Sequence, residues 1–426
     1  MPPQLEADPD AVVAASKLAG NSLRDRVIQN VDFEARHCGE LFDSDVDGAI
    51  FLGCTFASNH VTAHLLDRGA LVIPRIGGER RPYLATRHEL YTVDELLSPF
   101  HPEQPGSFKQ SLDAKIYAHF DAGRAHGRFS LQESLAQRIH DHAIDDALEA
   151  LLFDEDPEGR DARADGRPQD CVSKKVVGVM GGHALKRSSP LYAAVAELGY
   201  RLTRAGYFVA TGGGPGAMEA ANLGAWMAAR SLSDLNEAVA MLAPASNYSS
   251  AGTKMTHTYL CAGESVRRRF ASRSKREALK RRSLAIPTWF YGHEPTNQFA
   301  SAVAKYFSNS IREDGLLSIA QHGVIFAPGK AGTTQEIFQD TCQNHYGTTR
   351  MRFRPDEQPE RTVSPMVFLG EEHDWRRDFP VLPLLEALGG KGTKREKQYL
   401  SLTTVLSRPA SIVQWLRKHP PVVLAS

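Results

Sequence analysis

Short apolar runs alternate with segments of helical spacing through the second half of the chain. We predict strands at residues 175–180, 206–210, 237–243, 283–290, 323–327 and 365–369. Helices are predicted at 190–205 and from 216 to about 230. This alternation indicates a doubly wound parallel sheet with helices on both faces, in which ligands bind at the carboxyl ends of the strands.

The N-terminal part shows a similar but shorter pattern. Residues 48–54 predict a strand, 57–68 a helix and 70–76 a second, parallel strand. Helical spacing follows at 107–153, and no internal repeat stands out. The segment 154–170 is charged, holds prolines and glycines and lacks any large apolar side chain, which is typical of a linker. We therefore predict a smaller accessory α/β domain over 1–153, a linker over 154–170 and a larger α/β domain over 171–426.

Composition limits the classes of function. The chain carries 50 lysines and arginines against 50 aspartates and glutamates, so a broad nucleic-acid surface is not expected. Its five cysteines are scattered without C-x-x-C spacing, which is typical of reduced thiols and not of a zinc site. The N-terminus lacks a signal-peptide pattern, and no apolar run approaches about 18 residues. We expect a cytoplasmic protein without a membrane partner or a bound metal.

Glycine-rich turns follow two of the predicted strands. Residues 211–216 read TGGGPG and residues 328–336 read PGKAGTTQE, and each opens a segment of helical spacing. A strand, a glycine turn and a helix N-terminus together present free backbone N–H groups to an anion, usually a phosphate. Three consecutive glycines exceed the need of a simple turn, so we expect a ligand to approach the backbone closely at 212–214.

A further glycine pair, Gly181 and Gly182, follows the first strand of the larger domain. The G-x-G-x-x-G fingerprint of dinucleotide-binding proteins is not met there, and no acidic residue follows the second strand. An NAD-linked dehydrogenase is therefore disfavoured. The pair is either a tight turn without a ligand or a part of a phosphate site.

Glu336 has two interpretations. With Thr333 it matches a capping box, in which both side chains satisfy free N–H groups at a helix start. It also lies close after the second glycine turn, where its carboxylate would reach the sugar carbon of a bound nucleotide. The neighbouring Lys330 would contact a phosphate or face solvent, and we expect solvent because the backbone already supplies donors.

Other charged residues have ordinary explanations. His140, Asp141 and His142 are predicted to lie on an exposed helix and not to bind a metal. The basic run 267–282 predicts a solvated helix face or a pairing surface, with a rim that attracts a nucleotide as the alternative. Arg312 taken alone would be a surface charge.

The quoted motifs change the interpretation of Arg312 and Glu336. The sequence GGH, SSPLY and TGGGPGAMEAAN between residues 181 and 222, followed by PGKAGTTQE, resembles the LOG (Lonely Guy) family over about residues 171–390. Members are Rossmann-like proteins, often mislabelled as lysine decarboxylases, that hydrolyse nucleoside 5′-monophosphates to a free base and ribose 5-phosphate. The resemblance implies a Rossmann-like fold in a long form with an extra N-terminal domain, no cofactor, and a homo-oligomer of two or more chains.

The resemblance also implies particular site residues. The family's P-G-G-x-G-T-x-x-E falls on residues 328–336, which makes Glu336 the catalytic glutamate. The family's arginine falls on Arg312, with Arg273 or Arg276 as alternatives. Lys330 replaces the second motif glycine, and Glu313 stands where a lysine is usual. The implied phosphate- and nucleotide-binding residues are Gly181, Gly182, Gly212, Gly213, Gly214, Gly216, Glu219, Gly329, Lys330, Ala331, Gly332, Thr333 and Thr334.

The expected substrate is a nucleoside 5′-monophosphate whose base the sequence does not specify. The alternative is a non-catalytic regulatory protein that binds a nucleotide or an alarmone at the same turns. A pyridoxal-phosphate lysine decarboxylase is disfavoured, because no Schiff-base lysine with an acidic partner is recognisable.

Overall fold

The computed structural model describes residues 4–5, 9–76, 81–125, 129–153, 174–248, 253–292, 297–349, 361–390 and 398–424. The predicted linker 154–170 lies outside these residues. Two compact units are distinguished, one of residues 1–90, 119–148 and 353–355 and a larger one of residues 91–118, 149–352 and 356–426. This division rests on contacts in space, and it groups residues 91–118 with the larger unit, whereas the predicted ranges follow chain order.

The secondary structure is as follows. The α-helices of the described residues are α1 (Pro9–Leu18), α2 (Ala35–Asp43), α3 (Asn59–Asp67), α4 (Val93–Leu97), α5 (Leu112–Ala125), α6 (Leu131–Phe153), α7 (Pro190–Arg204), α8 (Ala217–Trp226), α9 (Leu232–Leu242), α10 (Thr253–Arg269), α11 (Lys275–Leu279), α12 (Asn309–Ile319), α13 (Ala331–Tyr346), α14 (Leu382–Gly390), α15 (Gln398–Ser401) and α16 (Pro409–Lys418). The strands are β1 (Gln4–Leu5), β2 (Val27–Gln29), β3 (Asp32–Phe33), β4 (Ile50–Leu52), β5 (Thr55–Phe56), β6 (Leu71–Ile73), β7 (Val176–Met180), β8 (Phe208–Thr211), β9 (Ser283–Ala285), β10 (Ala302–Val303), β11 (Val324–Phe326), β12 (Thr348–Thr349), β13 (Arg361–Val363), β14 (Met366–Leu369), β15 (Thr403–Leu406) and β16 (Val422–Leu424).

The smaller unit holds a four-stranded parallel sheet of order β1-β2-β4-β6 and a parallel pair, β3 and β5. The predicted strand–helix–strand unit at 48–76 is confirmed as β4, α3 and β6. In two of these parallel pairings the partners lie 23 residues apart, since Val27 pairs with Ile50 and Asp32 with Thr55, whereas Ile50 pairs with Leu71 after 21 residues.

The larger unit is built on a seven-stranded parallel sheet of order β10-β9-β8-β7-β11-β14-β15. Its central strands β7, β8, β11 and β14 are buried along their whole length, as expected for strands covered by helices on both faces. The predicted α/β class with a Rossmann-like parallel sheet is thereby confirmed. A smaller antiparallel sheet, β12-β13-β16, belongs to the same unit.

Two predictions about local structure are wrong. The segment 237–243 lies in helix α9 and not in a strand, because Ser231 and Asp234 form a capping box and Leu235, Ala238 and Leu242 are buried at helical spacing. The predicted exposed helix at 140–142 is α6, but His140 is fully buried and burial lowers its pKa.

No described helix has the length and apolarity needed to cross a lipid bilayer.

Candidate functional site

The carboxyl ends of three neighbouring strands carry the predicted glycine segments. β8, β7 and β11 lie side by side, and Gly181, Gly212 and Pro328 each follow the end of one of them within two residues. From β7 the chain proceeds outward through β8, β9 and β10, and then in the other direction through β11, β14 and β15. In open parallel sheets a ligand usually binds outside the strand ends where the order reverses, here between β7 and β11.

The first glycine turn, residues 212–216, is buried and closely packed. Gly213 and Gly216 have φ of +78° and +74°, a conformation that glycine adopts without strain. A Cβ on Gly213 would lie 2.8 Å from Cδ of Pro287, and one on Gly216 would lie 2.4 Å from the carbonyl oxygen of Gly182. Backbone geometry and packing therefore account for glycine at these two positions, where the sequence alone suggested the approach of a ligand.

The turn after β7 contacts both of the other turns. The N–H of Gly182 donates to the carbonyl oxygen of Pro328 (3.3 Å), and the N–H of Ala217, the first residue of α8, donates to that of Gly182 (3.2 Å). One of the free N–H groups expected at the start of α8 is thus used within the protein. Gly181 and Gly182 therefore connect the two glycine turns.

The second glycine turn is the more accessible one. α13 begins at Ala331 with Lys330 as its N-cap, and Lys330, Ala331 and Gly332 are exposed. The first N–H groups of a helix have no acceptor within it, so this helix start presents backbone donors to an anion. The exposure of Lys330 agrees with the expectation that its side chain faces solvent.

Of the two interpretations of Glu336, the capping box with Thr333 does not form. α13 begins before Thr333, so Thr333 is its third residue and not its N-cap, and no side chain caps this helix start. The Thr333 side chain instead packs on the glycine turn, since a Cβ on Gly329 would lie 1.9 Å from its Oγ1. The hydroxyl of Thr334 donates to the carbonyl oxygen of Lys330 (3.1 Å). Glu336 is consequently not engaged in capping.

Burial gives Glu336 an unusual carboxyl group. The residue is 8% exposed, and burial raises its pKa from 4.5 to about 7. The positive charge of Arg312 opposes this rise, and the negative charge of Glu313 adds to it. Near neutral pH both the acid and the base form are populated, as a general acid or base requires.

Arg312 is buried and not the surface charge that its isolated sequence context predicts. Its Nε donates to the carbonyl oxygen of Ile286 (2.7 Å) and its Nη2 to that of Gly212 (3.2 Å). The guanidinium group therefore holds α12 against the first glycine turn while its charge acts on Glu336.

The alternative arginines lie in a different setting. Arg273 lies just before α11 and Arg276 lies in it, and both are exposed. The geometry therefore favours Arg312.

Several other arginines of the basic run 267–282 are paired with carboxylates, as a pairing surface would predict. These ion pairs are Arg267–Asp94 (2.6 Å), Arg268–Glu264 (2.8 Å), Arg269–Glu237 (3.1 Å) and Arg281–Glu277 (3.0 Å).

A polar network around Glu313 was not predicted from the sequence. Asn309 donates from Nδ2 to Oε2 of Glu313 (2.8 Å) and to the hydroxyl oxygen of Tyr291 (2.9 Å), and Nε2 of Gln335 donates to the same Oε2 (2.8 Å). Tyr291 is 65% exposed, and partial burial with the charges of Glu313 and Glu336 raises its pKa. In the sequence these residues are ordinary polar positions, with Asn309 and Glu313 on α12 and Gln335 on α13. Such positions are too common in helices to identify a network.

Glu219 was grouped with the nucleotide-binding residues, and its surroundings do not fit that role. Its carboxylate accepts hydrogen bonds from Nε and Nη2 of Arg187 (2.9 and 2.6 Å) and from the hydroxyl groups of Tyr192 (2.9 Å) and Tyr259 (2.7 Å). The residue has no exposed surface, and four donors already occupy its oxygens. We therefore assign Glu219 to the core that supports α8.

Comparisons with known proteins give little further information. No protein-family model and no curated protein matches the chain. The molybdenum cofactor binding protein from Rippkaea orientalis is 13% identical and aligns over 58% of this chain and 98% of its own, with a TM-score of 0.32. Two structures of the molybdenum cofactor carrier protein from Chlamydomonas reinhardtii are 13% and 15% identical. They align over 57% of this chain and 97% and 99% of their own, with TM-scores of 0.30 and 0.31. At such TM-scores the likeness carries no conclusion about the site of this chain.

Proposed function

We propose that this protein hydrolyses the N-glycosidic bond of nucleoside 5′-monophosphates and releases a free base and ribose 5-phosphate. One observation carries the proposal. The buried carboxyl group of Glu336 follows the accessible glycine turn by little more than one helical turn, and it lies in the field of Arg312, which is bonded to the other glycine turn. The site therefore combines phosphate donors with an ionisable carboxyl group.

The start of α13 is the part of the site that suits a 5′-phosphate. Ala331 and Gly332 are exposed there, and backbone N–H groups at a helix N-terminus attract anions through both hydrogen bonds and the helix dipole. Contacts with the phosphate, which lies away from the reacting bond, would then hold the ribose in place. The binding energy of these contacts would thereby position the reacting bond.

The chemistry assigned to Glu336 follows from its pKa of about 7. In the reaction the bond between the sugar carbon and the base breaks, the base leaves with the bonding electrons, and a water oxygen bonds to the carbon. Positive charge builds on the sugar in the transition state, as in other glycoside hydrolysis. The carboxylate form of Glu336 would stabilise that charge and accept the proton of the water, which finally resides on the released base.

The proposal includes no cofactor, because water is the only co-substrate of this reaction. The resemblance to the LOG family supports our proposal of a homo-oligomer of two or more chains. The scattered cysteines without C-x-x-C spacing support a cytoplasmic location.

Product analysis tests the proposal. The purified full chain is incubated with AMP, GMP, IMP, CMP and UMP, and base and ribose 5-phosphate are quantified by chromatography. We expect both products in equal amounts from at least one nucleotide, and their loss in Glu336→Gln. Glu197→Gln, a substitution on the surface of α7, is the matched control and should retain full activity.

A nucleotide that binds without releasing any base would overturn the enzymatic proposal. That result would favour the non-catalytic regulatory protein instead. Thermal melting of each variant shows whether a loss of activity reflects a loss of folding.

A further inference from the structure

A cavity within the larger unit is lined by residues other than those of the glycine turns. It has a volume of about 580 Å³, and its wall includes Trp226 at the end of α8, Arg267 on α10, Arg281 and Gln298. Small-molecule sites in proteins usually measure about 300–1,000 Å³. The cavity is therefore large enough for one small ligand.

The cavity and the glycine turns lie toward opposite ends of the parallel strands. Gly216 precedes the first residue of α8 and Trp226 is its last, and ten residues of α-helix span about 15 Å. Arg281 and Ser301, both in the cavity wall, precede the amino ends of β9 and β10. The glycine turns follow the carboxyl ends of the parallel strands, so the cavity is a separate site.

Gln298 places an unpaired amide group in the cavity wall. The residue is 2% exposed, and neither Oε1 nor Nε2 makes a hydrogen bond to any of the described residues. Buried polar side chains are nearly always hydrogen-bonded, because an unpaired donor or acceptor loses its contacts with water without replacement. An adjacent donor and acceptor in this position point to a ligand that pairs with both.

Gly263 makes room for this amide group. It lies in the interior of α10, where glycine disfavours the helix relative to alanine. A Cβ at this position would lie 2.1 Å from Oε1 of Gln298. The absence of a side chain at residue 263 therefore allows the amide to lie at the cavity wall.

The charged groups around the cavity compensate one another. Each of the three arginines in the wall lies within 3.0 Å of a carboxylate, and the pairs are Arg267–Asp94, Arg268–Glu264 and Arg281–Glu277. A phosphate or a carboxylate would have to displace one of these partners. The cavity therefore favours an uncharged ligand.

We propose that this cavity binds an uncharged nucleobase or nucleoside. A glutamine amide offers the donor and acceptor pair that matches the hydrogen-bonding edge of a base. The guanidinium carbon of Arg281 lies 4.6 Å from the ring centre of Trp226, and such planar groups are surfaces on which bases stack. The inference rests on the cavity alone and does not depend on the hydrolysis proposed above.

Calorimetric titration of the full chain tests this inference. Adenine, hypoxanthine, uracil, adenosine and uridine are titrated separately, with ribose 5-phosphate as the probe that lacks a base. We expect at least one base or nucleoside to bind wild type and Glu336→Gln equally well. Gln298→Leu and Gly263→Ala should each weaken that binding by about tenfold or more, because one removes the amide and the other displaces it.

The melting temperature of the ligand-free protein separates a ligand-binding role from a structural one. Since the Gln298 amide has no partner among the described residues, Gln298→Leu should melt at or above the wild-type temperature. A clearly lower melting temperature would overturn the inference. Failure of every base and nucleoside to bind, unchanged binding in both variants, or competition by ribose 5-phosphate would overturn it as well. None of these results would decide whether nucleotides are hydrolysed, which product analysis measures separately.

Discussion

Nη2 of Arg312 lies 3.2 Å from the carbonyl oxygen of Gly212, so a side chain of α12 donates a hydrogen bond directly to the first glycine turn. The charge of the same guanidinium group lowers the pKa of Glu336 against the larger rise caused by burial. Arg312 thus influences both the backbone of one turn and the ionisation of the carboxyl group that follows the other. The shape and the charge state of the candidate site depend on one residue.

Replacing Arg312 should therefore raise the pKa of Glu336 further. Arg312→Met removes the positive charge that opposes burial, and it leaves the carbonyl oxygens of Ile286 and Gly212 without their donor. We expect the pKa of Glu336, followed by NMR of labelled glutamate, to rise above about 7, and the proposed hydrolysis to fall by about 100-fold or more. Arg276→Met, at an exposed position, is the control and should change neither quantity. An unchanged pKa of Glu336 in Arg312→Met would show that the two groups are not coupled.

The raised pKa of Glu336 also predicts how stability depends on pH. The folded protein keeps the proton up to about pH 7, whereas the unfolded chain releases it near pH 4.5. The contribution of Glu336 to the free energy of unfolding therefore falls as pH rises from about 4.5 to about 7, by about 3 kcal/mol in total. Glu336→Gln cannot lose a proton, so it should be more stable than wild type at pH 8 and equally stable at pH 4. Chemical denaturation of both proteins across this range measures the difference, and a difference that does not change with pH would contradict the assignment.

The proposed reaction needs the base form of Glu336. Activity, expressed as kcat/KM, should accordingly rise with pH and reach half its maximum near pH 7, because this parameter reports the ionisation of the free enzyme. A bell-shaped profile would reveal a second group, and a profile that falls through pH 7 would mean that the protonated carboxyl group is the active form. Rates measured with a saturating nucleotide and with a dilute one distinguish ionisation of the free and the bound protein.

Five of the seven strands of the larger sheet, β7, β8, β9, β11 and β14, were predicted because buried parallel strands are short, continuous apolar runs, whereas the edge strands β10 and β15 were not predicted. The same criterion failed at 237–243, where an apolar run of similar length belongs to α9 and only the capping residues Ser231 and Asp234 distinguish a helix. The strand pairings of the smaller unit could not be predicted in the same way, because paired residues need not be alike. Asp32 and Thr55, for example, pair without sharing chemistry.

The candidate site was predictable only in part. Glu336 follows a recognisable turn along the chain, so its place after a glycine segment could be read from the sequence. Arg312 could not be placed in the same way, because its acceptors are backbone carbonyl groups 26 and 100 positions away. Every residue has a backbone carbonyl group, so the residue type does not indicate which of these groups will accept a hydrogen bond. The surroundings of Glu219 could not be predicted for a related reason, since its hydrogen-bond partners come from three separate helices or loops.

The ion pair between Arg187 and Glu219 should be among the most sensitive positions of the larger unit. Both side chains are fully buried, at 2.6 Å from each other. Glu219→Gln keeps the shape but leaves the buried guanidinium group without a negative partner, which we expect to cost about 3–5 kcal/mol of unfolding free energy. Glu197→Gln breaks a pair of the same length on the surface of α7 and should cost less than about 0.5 kcal/mol. Urea denaturation compares the two variants, and similar losses in both would refute the distinction.

Two glycines of the second turn should respond very differently to alanine. A Cβ on Gly329 would lie 1.9 Å from Oγ1 of Thr333 and 3.1 Å from the backbone nitrogen of Gly182, whereas one on Gly332 would have no atom within 4 Å. Gly329→Ala should therefore move the turn away from its neighbour and lower the melting temperature. Gly332→Ala should raise the unfolding free energy by up to about 1 kcal/mol, because alanine favours the helix. If Gly329→Ala melted like Gly332→Ala, the contact between the turns after β7 and β11 would not be part of what holds the site together.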